Sequence, residues 1–357
     1  MVKYVIRRLI QSVPIFFGIT LLAYALMVFT PGGPVSVLAL QQGLNAQQVE
    51  KLRQQLGVND PFPIQYLRWL VGDDWMRWDS DGDGVSDGSV LIALNDNNGE
   101  PLPPGQRRGL LRGDFGTSFT RPRPVMDIIL ERIPATLELT VSALIVGLTL
   151  GLVIGVLAAV YQGSWFDHIS RVASVIFDAV PVFFLGLTLL LVFGAWLRIL
   201  PIGDRCPTTL AGSCAPVFER LEYLILPTFV LATGGISAYS RYMRASMLDV
   251  VSQDFIRTAR AKGLTDRVVW FKHGARNALI PIATFVGPAI AGLWGGAVIT
   301  ETIFNWPGVG REIVRSLGGR DYPVVMAATV LAGITTILGY LLSDILYGLI
   351  DPRIRFD

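Results

Sequence analysis

Charged residues are scarce in this sequence, and that scarcity excludes a soluble protein of its length. Of its 357 residues, 16% are charged and 52% are hydrophobic, and the mean hydropathy is +0.50. Windows without any Asp, Glu, Lys or Arg recur along the chain, each long enough for a helix to cross a hydrocarbon core about 30 Å thick. There are six of them: 9–49, 139–166, 179–197, 223–240, 277–300 and 322–343. The sequence therefore predicts an all-α polytopic membrane protein with six transmembrane helices.

Lysine and histidine are also rare, which removes several kinds of active site. A phosphate-binding loop needs Gly followed by Lys and Ser or Thr, because the lysine must reach the phosphates. The two histidines, His168 and His273, form no catalytic constellation. We therefore expect neither an enzyme nor an intrinsic cofactor, and any ATP hydrolysis must occur on another subunit. The four lysines, which follow Val, Glu, Ala and Phe, are Lys3, Lys51, Lys262 and Lys272.

Two further absences narrow the class of protein. The six windows contain no acidic residue, whereas proton-driven transport needs several ionisable groups within the spans. The sequence also has no basic face with interleaved aromatic residues, and its formal net charge is only +2, which argues against a nucleic-acid partner. A secondary transporter is therefore the weaker interpretation, and the cations must be explained by membrane topology.

The distribution of Lys and Arg orients the predicted helices. Prolines and glycines at 31–34 end the first transmembrane helix, which we assign to residues 1–30. That segment is too long for the apolar region of a secretory signal, so we treat it as a retained span. Three basic residues near its start place the N-terminus in the cytoplasm, and six crossings return the C-terminus to the same side. Residues 31–133 then form an extracellular or periplasmic segment, and 134–357 form a five-helix core whose loop 241–276 is cytoplasmic.

The stretch 241–281 is unusually basic and contains helix-ending signals. It carries eight Lys or Arg against three Asp, which the positive-inside preference places in the cytoplasm. From Asp254 to Lys262 there is an acid in the first turn and cations in the last, a pattern that favours a helix. Gly263 suits the left-handed residue that follows a helix, and Thr265 can N-cap a second helix. The sequence thus predicts a helix–Gly–helix that docks a cytoplasmic partner, and the alternative is an ordinary basic loop.

Cysteine is limited to Cys206 and Cys214, and both follow the third predicted span. The topology places their loop outside the cytoplasm, where an oxidising environment permits a disulfide. The eight-residue separation closes a loop at small entropic cost. We expect a disulfide between them, and the alternative is two buried free thiols.

The basic stretch resembles the coupling loop of the permease subunits of ATP-binding-cassette (ABC) importers. That family's pattern is Glu-Ala-Ala, three further residues and Gly. Here Arg257, Thr258 and Ala259 stand before Gly263, so an arginine replaces the family's glutamate. The runs TARAKGL and HGARNALIP within 258–281 match the dipeptide, oligopeptide and nickel branch of the family. The resemblance extends over most of the chain, with 73–112 as the exception.

This resemblance implies the MetI-like permease fold, with six transmembrane helices and a large extracellular segment between the first two. It implies the first permease of a pair in the cell membrane, forming the translocation path for di- or oligopeptides. The implied partners are a homologous second permease, two cytoplasmic ATPase subunits that bind the ATP, and an extracellular substrate-binding protein. The residues that the resemblance assigns to ATPase coupling are Asp254, Arg257, Thr258, Ala259, Arg260, Ala261, Lys262 and Gly263.

Two alternatives to peptide import stay open at this point. The same architecture could move nickel or another small solute, since the external binding protein normally selects the substrate. A membrane scaffold could also dock a cytoplasmic partner without moving anything. Neighbouring genes for an ATPase and a binding protein would favour the transporter over the scaffold.

The insertion at 73–112 contains a second pattern with its own chemistry. Residues 79–87 follow the D-x-D-x-D-G order of calcium loops, in which alternate carboxylates wrap a hard cation. Val90 replaces the bidentate glutamate of the twelfth position, so the alternative is a solvated acidic loop. We expect a structural Ca²⁺ in this extracellular insertion. Its predicted ligands are Asp79, Asp81, Asp83, the Val85 carbonyl and Asp87.

Overall fold

The computed structural model describes residues 2–30, 61–72, 108–206, 216–279 and 297–350, together with isolated positions between these ranges. Throughout this part of the chain the regular secondary structure is helical, apart from an isolated antiparallel bridge between Thr117 and Pro124. The predicted all-α class is therefore confirmed for the described residues.

The helices are named in chain order. They are α1 (Val2–Phe29), α2 (Phe62–Val71), α3 (Val125–Val160), α4 (Trp165–Ala179), α5 (Val182–Leu189), α6 (Leu221–Val251), α7 (Asp254–Ala261), α8 (Asp266–Val268), α9 (Ala275–Ala278), α10 (Val309–Gly318) and α11 (Tyr322–Ile350). Turns of π-helix extend α5 through Leu190–Trp196 and join α8 to α9 through Val269–Gly274. Short 3-10 helices cover Leu110–Arg112 and Val217–Glu219, and a further helical stretch at 297–303 precedes α10.

Long apolar helices match most of the predicted spans. Within the described ranges, four helices are long and apolar enough to cross a membrane: Ile6–Phe29, Val125–Val160, Leu221–Val251 and Tyr322–Ile345. Helices α4 and α5 form a further candidate, and their axes differ by 102° at a short break. Pro181 lies in that break, and proline is a common cause of such a bend. The predicted span 277–300 lies largely outside the described residues.

Two helices extend beyond the limits that the charge-free windows predict. Helix α3 begins at Val125, within the predicted extracellular segment 31–133. Its first turns are amphipathic, because Ile128 and Ile129 are buried while the charged Asp127 and Glu131 on either side of them are exposed. Helix α6 likewise continues to Val251, within the predicted loop 241–276. A search for windows without charge detects only the apolar middle of such helices.

Contacts divide the chain into two compact units, and each is described by itself. The first unit comprises Met1–Ile15, Arg132–Val314 and Ala332–Asp357. The second comprises Phe16–Glu131 and Arg315–Leu331.

In the second unit, α2 packs against the C-terminal half of α1 through aromatic rings. The ring of Tyr24 lies 5.3 Å from that of Trp69 and 5.8 Å from that of Tyr66, measured between centroids. Thr20 is fully buried, and its hydroxyl shares a hydrogen bond of 2.8 Å with the hydroxyl of Tyr66. Aromatic packing of this kind adds about 0.5–1.5 kcal/mol per pair beyond area burial, so α2 is a fixed part of this unit.

A buried carboxylate in the same unit joins a loop to the start of α11. The fully buried Asp321 immediately precedes that helix and accepts hydrogen bonds from Thr120 Oγ1 at 2.7 Å and from the Phe119 N–H at 2.9 Å. The Ser118 hydroxyl also donates to this carboxylate. These three donors hold the turn that follows Thr117 against the start of α11, because a buried carboxylate without partners would be costly.

In the first unit, α3 and α6 pack so closely that their backbones nearly touch. The sequence places Gly147, Gly151 and Gly155 on one face of α3, at the spacing that lets helices approach in lipid. A Cβ atom on Gly155 would lie 2.6 Å from Met243 Cβ and 2.7 Å from Ser240 O. No side chain larger than glycine fits there without moving α6, so the predicted close approach is confirmed.

A second buried carboxylate in the first unit fixes the start of α10. Glu301 is fully buried and accepts hydrogen bonds from Thr136 Oγ1 at 2.7 Å and from the Arg311 N–H at 2.9 Å. The Thr136 hydroxyl in turn accepts from the Val309 N–H at 2.8 Å. A Cβ atom on Gly308 would overlap the carboxylate. The carboxylate thus satisfies orphan N–H groups at the first turn of α10 and ties that turn to α3.

We predict that Gly155→Ala destabilises the protein while Gly147→Ala on the same helix does not. The methyl group at 155 would overlap Ser240 O and Met243 Cβ, and overpacking costs roughly 1–3 kcal/mol. At Gly147 the nearest atom to a new Cβ is Ala232 O at 3.6 Å, which is ordinary contact. The measurement is the apparent Tm of each purified variant in detergent, and equal values for the two variants would contradict the prediction.

Candidate coupling site

Helix α7 ends in a Schellman motif that depends on glycine. Asp254 lies in its first turn and Arg260 in its last, as the helix dipole favours. The Gly263 N–H donates to Arg260 O at 2.9 Å, and the Leu264 N–H donates to Ala259 O at 3.4 Å. The φ angle of Gly263 is +75°, a left-handed conformation that other residues adopt at a cost. The predicted helix and its glycine cap are therefore confirmed.

One face of α7 is buried against α6 and the turn that follows. Ile256 is 1% exposed and Ala259 is 6% exposed. They share an apolar cluster with Met243 and Met247 of α6 and with Trp270 of the π-helical turn. Burial of a side chain such as Ile256 contributes about 2 kcal/mol. Residues 254–279, which we call the docking element, are thus attached to α6 by an apolar core.

The two-sided structure of α7 corrects the prediction for one assigned residue, Ala259. The resemblance assigns Ala259 to the surface that meets the ATPase, but the structure turns its side chain into the apolar core. The reason is the helical period, because Ala259 follows Ile256 by three residues and so lies on the same face. Ala259 therefore packs the helix onto α6 and does not offer its side chain to a partner.

The opposite face of α7 is open to solvent. The other assigned residues are all exposed: Asp254, Arg257, Thr258, Arg260, Ala261, Lys262 and Gly263. The small side chains of Thr258 and Ala261 lie between the cations Arg257 and Lys262 along this face. A Cβ atom on Gly263 would meet nothing within 4 Å. The structure therefore brings these residues together on a surface that another subunit can approach closely.

The charges of this face differ in how firmly they are held. Arg257 Nη1 lies 3.7 Å from Asp254 Oδ1, but the side chains are 78% and 96% exposed, so this ion pair adds little stability. The guanidinium of Arg260 lies 4.5 Å from the centroid of the Trp270 ring, and its Nε lies 4.0 Å from Asp266 Oδ1. Cation–π contact of this kind contributes about 0.5–1 kcal/mol at an exposed site. Arg260 thus braces α7 against the turn that follows it.

The second helix begins where the sequence predicts, but without the predicted side-chain cap. Thr265 has the extended backbone of an N-cap residue, yet its hydroxyl accepts no capping hydrogen bond. Helix α8 is short, and the π-helical Val269–Gly274 carries the chain into α9. Val269, Trp270 and Ala278 are buried in the same apolar cluster as α7. Apolar packing therefore positions this half of the docking element.

The predicted calcium ligands Asp79, Asp81, Asp83, Val85 and Asp87 lie outside the described residues. In the ranges that the structure does describe, no group of three or more His, Cys, Asp and Glu side chains could hold a metal ion. The calcium site stays a prediction from the sequence.

The two cysteines lie beside a charge cluster that the sequence analysis missed. Cys206 and Cys214 are joined by a disulfide, with their Cα atoms 5.6 Å apart. The neighbouring Arg205 donates from Nε to Glu138 Oε2 at 2.9 Å, and Arg220 donates from Nη2 to the same oxygen at 2.8 Å. Glu138 belongs to α3, so these two arginines tie the cysteine loop to that helix.

Sequence reasoning also missed an ion pair between α4 and α6. Asp167 is 1% exposed and accepts from Arg244 Nε at 2.6 Å and from Arg244 Nη2 at 2.8 Å. The Ser164 hydroxyl caps α4 by accepting from the Asp167 N–H at 3.3 Å. The available signal was the Ser-x-x-Asp spacing ahead of an apolar run, which marks a helix N-terminus. Nothing local in the sequence identifies Arg244 as the partner.

The long apolar helices define an integral membrane protein that crosses the bilayer more than once, with a docking element built onto one of those helices. The sequence matches the model for the binding-protein-dependent transport system inner membrane component over residues 151–356. It also matches the N-terminal model for these membrane components over residues 1–78. The chain belongs to this family of transport-system inner membrane components, and the predicted permease subunit of an ABC importer is confirmed.

Curated relatives align with the chain from end to end. The oligopeptide transport system permease protein AppB of Bacillus subtilis (strain 168) is 37% identical over 357 residues and all of both chains. The dipeptide transport system permease protein DppB of Escherichia coli (strain K12) is 34% identical over 373 aligned positions and 99% of each chain. The glutathione transport system permease protein GsiC of Escherichia coli (strain K12) is 34% identical over 356 positions and all of both chains.

We predict that Ala259→Leu destabilises the docking element, whereas Ala261→Leu leaves the stability of the permease unchanged. A leucine at 259 must enter the filled cluster beside Met243 and Met247, at a cost of roughly 1–3 kcal/mol. A leucine at 261 extends into solvent. The two variants differ only in position, and limited proteolysis of 254–279 measures the difference. Equal protection of both variants would contradict this assignment of faces.

We also predict that the cysteines resist an impermeant maleimide in intact, unreduced cells and react after reduction. The sulfurs are paired in the structure, and a disulfide blocks alkylation. A single-cysteine variant, Cys214→Ser, is the positive control, because it leaves Cys206 as an unpaired thiol on the same loop. Rapid labelling of the unreduced natural protein would show that the bond does not form in the cell.

Proposed function

We propose that this chain is one of two homologous permease subunits of an ABC importer that moves di- or oligopeptides into the cell. Relatives named for oligopeptide, dipeptide and glutathione transport align over essentially its whole length. Glutathione is itself a tripeptide, so the three names share one substrate class. A peptide backbone with charged ends is the chemistry that this importer would carry.

A six-span topology with both termini in the cytoplasm is part of the proposal. Arg8 Nε lies 3.0 Å from Asp344 Oδ2, which brings the first turns of α1 beside the C-terminal part of α11 within one unit. Two such ends share a side of the membrane only after an even number of crossings. This supports six spans, with 31–133 and its insertion 73–112 outside the cytoplasm.

The observation that carries the coupling role is the two-sided construction of α7. Its apolar face is packed on Met243 and Met247 of a candidate membrane-spanning helix, and its other face is exposed. If an ATPase binds Thr258, Ala261 and Gly263, its movement would therefore be transmitted to α6 as well. We propose that two cytoplasmic ATPases, a second permease and an external binding protein complete the importer.

Reconstitution tests the substrate class. The chain is assembled with its partner permease, ATPases and binding protein in vesicles, and uptake of labelled dipeptide, oligopeptide and Ni²⁺ is followed with and without ATP. We expect ATP-dependent accumulation of at least one peptide and none of the metal. Uptake of Ni²⁺ without peptide would favour the small-solute alternative, and intact assembly without any uptake would favour the scaffold.

We predict that Gly263→Val leaves a folded permease with weakened ATPase association and little transport. Valine disfavours the left-handed backbone at 263 by about 1–2 kcal/mol and places a branched side chain on the exposed face. Gly263→Asn adds a side chain of similar size but tolerates the left-handed backbone, so we expect a smaller loss. Co-purification of the ATPase and ATP-driven uptake are the measurements.

The control for this comparison is Arg198→Asn, a change on the side of the membrane opposite the ATPase in the proposed topology. Arg198 also has a left-handed backbone, with φ +55°, so the two positions are matched in conformation. The control should keep full ATPase association. Full ATP-dependent uptake by Gly263→Val at normal expression would remove 254–263 from the coupling role.

A further inference from the structure

A row of polar side chains joins α4 to α6. Facing residues of α4 recur every three or four positions: Asp167, Ser170, Ser174 and Asp178. Ser174 Oγ lies 3.2 Å from Ser240 Oγ, and Asp178 forms an ion pair with Arg241. One apolar contact accompanies these polar ones, because the ring centroids of Phe177 and Phe229 of α6 lie 6.2 Å apart. Four other apolar side chains of α4 are each more than half exposed: Ile169, Val172, Val175 and Ile176. Hydrogen bonds and ion pairs therefore align α4 on α6.

The ion pair of Asp167 with Arg244 is the strongest of these contacts, and Asp167 is the most completely buried residue among them. Both of its carboxylate oxygens accept from Arg244, and Oδ2 also accepts from the Gly163 N–H at 3.0 Å. Arg171 Nε lies 3.5 Å from Oδ1. Two parallel N–H···O bonds fix both the distance and the orientation of a guanidinium. The pair therefore sets the position of α4 relative to α6 and does more than hold the two helices together.

Arg244 lies on the same stretch of α6 that carries the docking element. Met243 and Met247, on either side of it in sequence, are buried against Ile256 and Ala259 of α7. The α6 helix is continuous from Leu221 to Val251, so a displacement of this stretch moves Arg244 with it. Through Asp167, the displacement then reaches the N-terminal turn of α4 and the bent pair α4–α5.

We propose that Asp167 and Arg244 are positioning residues that transmit movement of the docking element to the bent helix pair α4–α5. The proposal rests on the coupling role of α7 given above and adds a route for it inside the permease. Breaking the pair should leave the ATPase docked, because the exposed face of α7 is unchanged, but should separate ATP hydrolysis from substrate uptake.

The test compares uptake per ATP hydrolysed in the reconstituted importer for four variants. Asp167→Asn removes one charge of the pair, and Asp167→Asn with Arg244→Gln removes both. Asp167→Glu keeps the charge. Asp178→Asn is the matched control, since Asp178 forms the more exposed ion pair between the same two helices. Each complex is first checked for the amount of ATPase that co-purifies.

We expect the uptake-to-hydrolysis ratio to fall about tenfold or more in Asp167→Asn and to recover in part in Asp167→Glu, because a buried charge loses its partner only in the first. The control Asp178→Asn should change the ratio by less than about twofold, as exposed ion pairs contribute little. If Asp167→Asn fails to assemble, the double variant decides, because it leaves no unpaired buried charge. A reduced ratio in the assembled double variant supports the proposal.

An unchanged ratio in the assembled double variant would overturn the proposal, since the pair would then serve stability alone. That outcome is separate from failure of the proposed function. If the natural complex itself shows no ATP-driven peptide uptake, the function is wrong. If the natural complex transports peptide and the double variant matches it, only the positioning role of Asp167 and Arg244 is wrong.

Discussion

The close approach of α3 and α6 at Gly155 is the constraint on which the rest of the first unit depends. Between helices in lipid there is no hydrophobic driving force, so tight packing of small residues must replace it. With no Cβ at Gly155, the α3 backbone reaches Met243 and Ser240 directly. Met243 and Met247 are thereby held in place, and they form the apolar surface against which Ile256 packs. The position of the docking element therefore depends on the contact between α3 and α6, in which the docking element itself takes no part.

Buried carboxylates form specific connections between helices that apolar packing alone does not provide. Glu301 satisfies N–H groups at the start of α10, Asp321 gathers a loop at the start of α11, and Asp167 lies in the first turn of α4. Helix starts carry unpaired N–H groups and a partial positive charge, so an acid there is stabilised where an isolated acid would not be. In a chain with so little charge, acids at helix starts define specific connections between elements.

The docking element separates attachment from recognition. Its apolar residues fix α7 to the permease, while its cations and small side chains are left for a partner. Because these two sets lie on opposite faces of a short helix, a partner can bind without disturbing the apolar core. A specific ion pair also joins α4 to α6. The charges of Asp167 and Arg244 fix the alignment of the two helices, whereas apolar surfaces alone would let them slide.

The sequence alone determined the properties that depend on neighbouring residues. Hydropathy located most of the apolar helices, and Gly263 predicted the end of α7. Only the tertiary structure decided that Ala259 faces inward, and that Asp167 pairs with Arg244. Those outcomes depend on how each helix is rotated and which helix it crosses. Such quantities are set by packing between distant segments, and no local pattern records them.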